Sequence, residues 1–155
     1  MSGLLNYTTE IAVEKTVGEI YSMLARAKAS AILTEMDGSS QVTAISFKMR
    51  TVHGEIAFRL PVNIAGAAAV LNKQAYNREI PKRLYNNLPQ ARRVAWRILR
   101  AWLEAQLALV QVGMAKMEEV FLPYAQNERG QTVYEALAEK KFSGLCLPAP
   151  VKEAA

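Results

Sequence analysis

The sequence predicts an α+β fold: a four-stranded, mainly antiparallel sheet in the order β-α-β-β-β, packed with a C-terminal helical layer built on one long helix. Three observations carry this reading. Three stretches among the first sixty residues alternate with period two, as half-buried strands do, and a fourth, residues 31–35, is short and β-prone. Short turn clusters separate the last three, and connections that short join antiparallel neighbours into a meander. Residues 89–112 hold a helical period without a break.

Leu5, Tyr7, Thr9, Ile11 and Val13 recur at every second position and give the first strand one apolar or β-prone face. Thr16 and Glu19 have capping-box spacing, and Val17, Ile20, Tyr21 and Leu24 follow at helical spacing, so a helix is expected over residues 16–27. Residues 31–35 are short and β-prone. The cluster Asp37, Gly38, Ser39 and Ser40 turns the chain into a strand where Thr43, Ile45, Phe47 and Met49 alternate with Ala44, Ser46 and Lys48. A second turn at His53 and Gly54 leads to Ile56, Phe58 and Leu60, and Pro61 ends that strand. Asn63 can cap a short alanine-rich helix over 64–71, whose small side chains suit close packing. Residues 72–89 carry two prolines and no clear period, so a loop with at most one helical turn is expected there, the most mobile part of the chain.

Pro89 suits the first turn of the dominant helix. Ala91, Val94, Ala95, Ile98, Trp102, Ala105, Leu109 and Val112 trace one stripe, Trp96, Leu99, Leu103 and Val110 an adjacent one. Arg93, Arg97, Arg100 and Glu104 hold the polar side. Gly113 bends or ends this helix, and Met114, Met117, Val120, Phe121 and Tyr124 continue at helical spacing. Thr132 and Glu135 form a second capping-box pair, opening a last helix to about Phe142. No internal repeat is present. Residues 1–145 therefore read as one domain and 146–155, with two prolines, as a tail or an arm docked on a partner.

A chain of 155 residues with 51% hydrophobic and 21% charged residues has the makings of a real core, which excludes wholesale disorder. No membrane partner is expected, because the longest apolar stretch, 94–112, is interrupted by Arg97, Arg100, Glu104 and Gln106. The start has no basic region leading into an apolar one, and the lone Cys146 cannot form an intrachain disulfide; both favour a cytoplasmic location.

Catalytic signals are absent. One histidine, His53, and one cysteine, Cys146, do not supply a zinc ligand set. Asp37 is the sole aspartate, and Glu118 and Glu119 are adjacent, hence on different parts of a helix surface. The glycines never approach a phosphate-binding spacing. No catalytic residue, metal or cofactor is expected, and the protein reads as non-enzymatic.

Charge is more informative. Between positions 72 and 100 eight basic residues face one acid, Glu79; that segment carries +7, so with +5 overall the remainder carries −2. A basic stretch of this kind is the electrostatic footprint of a polyanion partner, or else a solvated surface. The candidate site is Lys73, Tyr76, Arg78, Lys82, Arg83, Tyr85, Arg92, Arg93 and Arg97. Lysine and arginine contact phosphates, here Arg83, Arg92, Arg93 and Arg97 above all, and an exposed ring can stack a single-stranded base for about 1–3 kcal/mol. The opposing reading packs Tyr76 and Tyr85 down onto the sheet. Lys48, Arg50 and Arg59 would widen the basic surface if their side of the sheet is open. The expected partner is nucleic acid, DNA or RNA. The alternatives are sequestration of a small anionic ligand such as a nucleotide signal, or binding of a host defence protein. The wide apolar arc of the long helix and the methionine-bearing stretch after it also suit a homodimer contact.

Three stretches, YTTEIAVEKT from Tyr7, GEIAFRLPVN from Gly54, and the run from Arg93 to Tyr134 that begins RVAWRILRAWLEAQLALVQVG, together resemble a group of small proteins of bacterial genomes, phages and prophages. The resemblance covers most of the chain. It implies an accessory role in a phage or mobile element, such as nucleic-acid handling or interference with host defence. The group has no assigned activity, so no residue role carries over.

Overall fold

Alternation in residues 42–59 builds the sheet of this computed structural model, which describes residues 3–151. The elements run α1 (Val13–Arg26), β1 (Ala31–Met36), β2 (Val42–Thr51), β3 (Gly54–Arg59), α2 (Ile64–Tyr76), α3 (Leu88–Gln111), α4 (Met117–Val120) and α5 (Val133–Glu139). Single 3-10 turns lie at Lys82–Leu84 and Leu122–Tyr124. The fold is α+β, with five helices and a three-stranded antiparallel sheet in the order β1-β2-β3. Among the described residues no helix is long and apolar enough to cross a membrane.

Register follows the hydrophobic pattern. Ile32 lies opposite Phe47 and Thr34 opposite Ile45, while Phe47 and Met49 face Phe58 and Ile56 across β2 and β3. One face therefore presents Ile45, Phe47, Met49 and Phe58 to the helices. Phe47 stacks on Phe58 with centroids 5.2 Å apart, Phe121 meets Phe47 edge-on at 5.5 Å, and Trp102 meets Phe121 edge-on at 5.8 Å. Ile20 and Leu24 of α1 and Trp96 and Leu103 of α3 complete this buried core. A smaller core joins Leu71, Ala75, Ile80, Leu84, Ala91 and Val94 between α2, the chain after it, and α3.

The fourth strand expected over residues 5–13 does not form. Tyr7 N donates to Leu4 O at 2.9 Å and Thr9 N to Asn6 O at 3.0 Å, consecutive turns that leave no strand to pair. The carbonyls of Tyr7 and Thr9 are taken instead by Gln90 Nε2, at 2.8 and 2.9 Å. The place beside β3 is occupied too, because Gln126 N donates to Ala57 O at 2.8 Å and Ala125 bridges Phe58.

Helix ends show which caps are used. α1 begins at Val13, three residues before the expected cap; Thr16 is fully buried inside it, and Glu19 serves partners on α3 instead of a capping box. Asn63 Oδ1 accepts from Gly66 N at 2.8 Å, as expected, but α2 continues through Asn72 and Lys73 to Tyr76, residues expected in a loop. Asn87 Oδ1 accepts from Gln90 N at 3.1 Å and starts α3, with Pro89 in its first turn. Gly113 ends α3 in a left-handed conformation, φ 78°. Beyond it the expected helical run shrinks to α4 and a 3-10 turn. The Thr132 and Glu135 capping box forms, each bond 3.1 Å, but α5 stops at Glu139. In the tail, residues 146–151 are exposed and irregular, and 152–155 lie outside the described residues.

Candidate nucleic-acid interface

Two apolar plugs organise the connection between α2 and α3. Ile80 and Leu84, four residues apart, are buried against Leu71, Ala75, Ala91 and Val94. Asn86 N donates to Asn72 Oδ1 at 2.7 Å, tying the far end of the connection back to α2. Arg78 and Asn86 take left-handed backbone angles, φ 60° and 52°, where the chain reverses around the plugs. The stretch read from sequence as the most mobile is thus pinned at both ends and in the middle.

Polar residues around the plugs, from the last turn of α2 to Tyr85, are left outside. Lys73, Arg78, Lys82 and Arg83 are exposed, and among the described residues none makes a salt bridge or a side-chain hydrogen bond. Tyr76 is 79% exposed and Tyr85 52%, so neither ring packs onto the sheet. Four cations and two open rings therefore share one anchored segment.

The expected site residues on α3 are half-buried and differently engaged. Arg93 donates through Nε and Nη2 to Gln90 Oε1, at 3.0 and 2.6 Å, and Gln90 in turn holds the N-terminal turns. Arg97, whose side chain is 16% exposed, is bound by Glu19 Oε2, and Arg100 Nε reaches the same oxygen at 2.8 Å. Glu104 takes a second nitrogen of Arg100. Burial pushes the Glu19 carboxyl up, but the hydrogen bonds and charges of Arg97 and Arg100 outweigh this and hold it below its ordinary 4.5. Arg92 has no such hydrogen bond. Its charge acts on Asp37 in the turn between β1 and β2, whose carboxyl is held low chiefly by backbone donors from Gln41 and Ser39. Sequence gave no sign of Gln90, a buried amide whose two donors and acceptor are all used; its only mark is a polar residue at the start of an apolar helix.

On the sheet the three cations stand beside two acids, Glu55 and Glu35, and only Arg59 is held closely. Glu55 stands 3.9 Å from both Lys48 and Arg50, and Arg59 binds Glu35 through two bonds of 3.1 Å. Register sets one of these pairs directly, because Arg50 lies opposite Glu55, while Arg59 reaches Glu35 across β2.

An apolar cavity of about 530 Å³ opens between α2 and α3, where Gly66, Ala67 and Val70 leave room opposite Ile98 and Trp102. Asn63 and Tyr124 bring polar atoms to its wall, but no charged side chain lines it, so it offers no counter-charge to an anionic ligand. Among the described residues no three His, Cys, Asp or Glu side chains gather as a metal site. No protein-family model, curated protein or solved structure matches the chain.

Proposed function

We propose that the protein binds single-stranded nucleic acid, without catalysis, through the connection between α2 and α3, in an accessory role of the phage or mobile-element kind. The observation that carries this reading is the pairing of four cations that make no salt bridge, against the single acid Glu79, with two exposed tyrosines on a segment fixed by Ile80 and Leu84. Cations at Lys73, Arg78, Lys82 and Arg83 meet phosphates, and the rings of Tyr76 and Tyr85 stack bases, which only an unpaired strand can offer. Anchoring matters because a segment already ordered loses less entropy on binding. Arg97 and Arg100 stand outside this surface, their charge satisfied by Glu19.

Fluorescence anisotropy of labelled single- and double-stranded DNA and RNA, titrated at two salt concentrations, tests the proposal. Four phosphate contacts on a single strand predict a log–log salt slope of about −3. Single strands bind more tightly than duplexes, and the DNA and RNA arms name the sugar. No binding at low salt overturns the reading, and the same segment is then to be tested against nucleotide signals and host proteins.

A further inference from the structure

The two edges of the sheet are finished differently. Beside β3 the chain closes the edge itself, through Gln126 N to Ala57 O and the bridge from Ala125 to Phe58. Among the described residues, β1 makes no backbone hydrogen bond beyond its ladder to β2. An open edge exposes a row of unpaired N–H and C=O groups, and proteins ordinarily blunt it with lysine, proline, an inward charge or a bulge. The strand AILTEM contains neither lysine nor proline. Its one charge, Glu35, is held by Arg59, and its register shift falls at the far end, between Glu35 and Met36. Leu33 is 61% exposed on the face away from the helices. On the helix face Ile32 and Thr34 are half-buried, although Phe47 and Ile45 opposite them are fully buried, so the core is uncovered along this edge.

We infer that β1 pairs with β1 of a second copy of this chain, antiparallel and centred on Leu33, so that two sheets become one of six strands. Symmetry restricts the register. In a two-fold antiparallel pair, opposed residues lie on one face, so the pair centres on a residue and not between two. Centring on Leu33 sets it against the partner's Leu33, Ile32 against the partner's Thr34, and Ala31 against the partner's Glu35. Two exposed leucines cover each other, and the two Glu35 carboxylates stay apart. Centring on Thr34 would instead set Leu33 against the partner's Glu35, an apolar group against a charge.

Charge supports the same register. Lys48 lies opposite Ala31 across β1 and β2. In the joined sheet each Glu35 therefore falls in one cross-strand row with the partner's Lys48, with only an alanine methyl between them. That distance is two strand spacings, about 10 Å, within the combined reach of a glutamate and a lysine. Lys48 is exposed and only loosely held, 3.9 Å from Glu55, so it is free to turn toward the new acid.

Light scattering on the full chain over a dilution series, with two substitutions, tests the inference. The unmodified chain is expected as a dimer that dissociates on dilution. Leu33→Lys sets two like charges directly opposite, and is expected to weaken the dimer about tenfold or more with an unchanged circular dichroism spectrum. With Cys146→Ser as background, Leu33→Cys is expected to give a disulfide-linked dimer on oxidation, and Val52→Cys, 92% exposed in the turn between β2 and β3, is not. A chain that stays monomeric at every concentration overturns the inference. So does a dimer that survives Leu33→Lys and does not cross-link through position 33.

Discussion

The two halves of the basic segment carry four cations each, and three of the second four are bound where none of the first four is. Lys73, Arg78, Lys82 and Arg83 stand in water without a partner. Arg93, Arg97 and Arg100 bind Gln90 and Glu19, while Arg92 is half-buried and makes no salt bridge. Local sequence treats them alike, since one acid, Glu79, serves the whole stretch. What separates them is distance along the chain: Glu19 lies 78 residues before Arg97 and reaches it only because α1 packs on α3. A run of positive charge is thus not yet a surface; the fold decides which charges are left over for a ligand.

The difference can be broken from either side. Reversing Lys73, Arg78, Lys82 and Arg83 to glutamate is expected to weaken single-strand binding at least about a hundredfold and flatten its salt dependence. The melting temperature should hold, since no internal partner is lost; anisotropy and calorimetry on one sample check both. Replacing Tyr76 and Tyr85 by alanine is expected to cost about thirtyfold or more on single strands, by removing two stacked bases worth about 1–3 kcal/mol each, and to leave duplex binding nearly unchanged. Equal losses on both strand forms would mean the rings do not stack.

The other half should respond in stability alone. Arg97→Ala leaves Glu19 with Arg100 only and is expected to lower unfolding free energy by about 1–2 kcal/mol in a denaturant melt, with nucleic-acid affinity within about twofold of the original. The smallest effect is a pH effect. Because the folded pKa of Glu19 is depressed, its contribution is fully present above the ordinary value of 4.5 and is lost as pH falls through the lower folded value. Glu19→Gln should therefore be less stable than the original at neutral pH, and the gap should close on acidification. A gap that stays constant into acid would separate Glu19 from the stability of the α1 and α3 pair.

Turn and cap chemistry was the most legible part of the fold. Asp37 Oδ1 accepts from Ser39 N and Gln41 N at 2.8 and 3.0 Å, which is why the Asp37 cluster reads as a turn and proves to be one. Asn63, Thr132 and Gly113 also act where their types suggest. Failures arose where a distant group took over a local pattern. Period two in residues 5–13 reads as a strand, yet Gln90, more than 80 positions away, binds those carbonyls and no strand neighbour exists. The spacing of Thr16 and Glu19 matches a capping box, but Arg97 and Arg100 claim the carboxylate. In the candidate interface the residue types were visible, while the exposure of Tyr76 and Tyr85 was not. It depends on Ile80 and Leu84 sinking into the smaller core, and two apolar residues in a segment without a period do not announce themselves as anchors.

The amide of Gln90 sets an order on synthesis. Its partners, Tyr7 and Thr9, leave the ribosome more than 80 residues earlier, and Glu19 waits 78 residues for Arg97. At roughly 5–20 residues per second, the newborn N-terminal segment spends about 4–16 s without the groups that satisfy it. During that interval the hairpins of β1 to β3 can close locally, while α1 has no α3 to lie on. Translation pauses before α3 has emerged should therefore lengthen the exposure of Ile20 and Leu24 to chaperones, and pauses after it has cleared the ribosome should not.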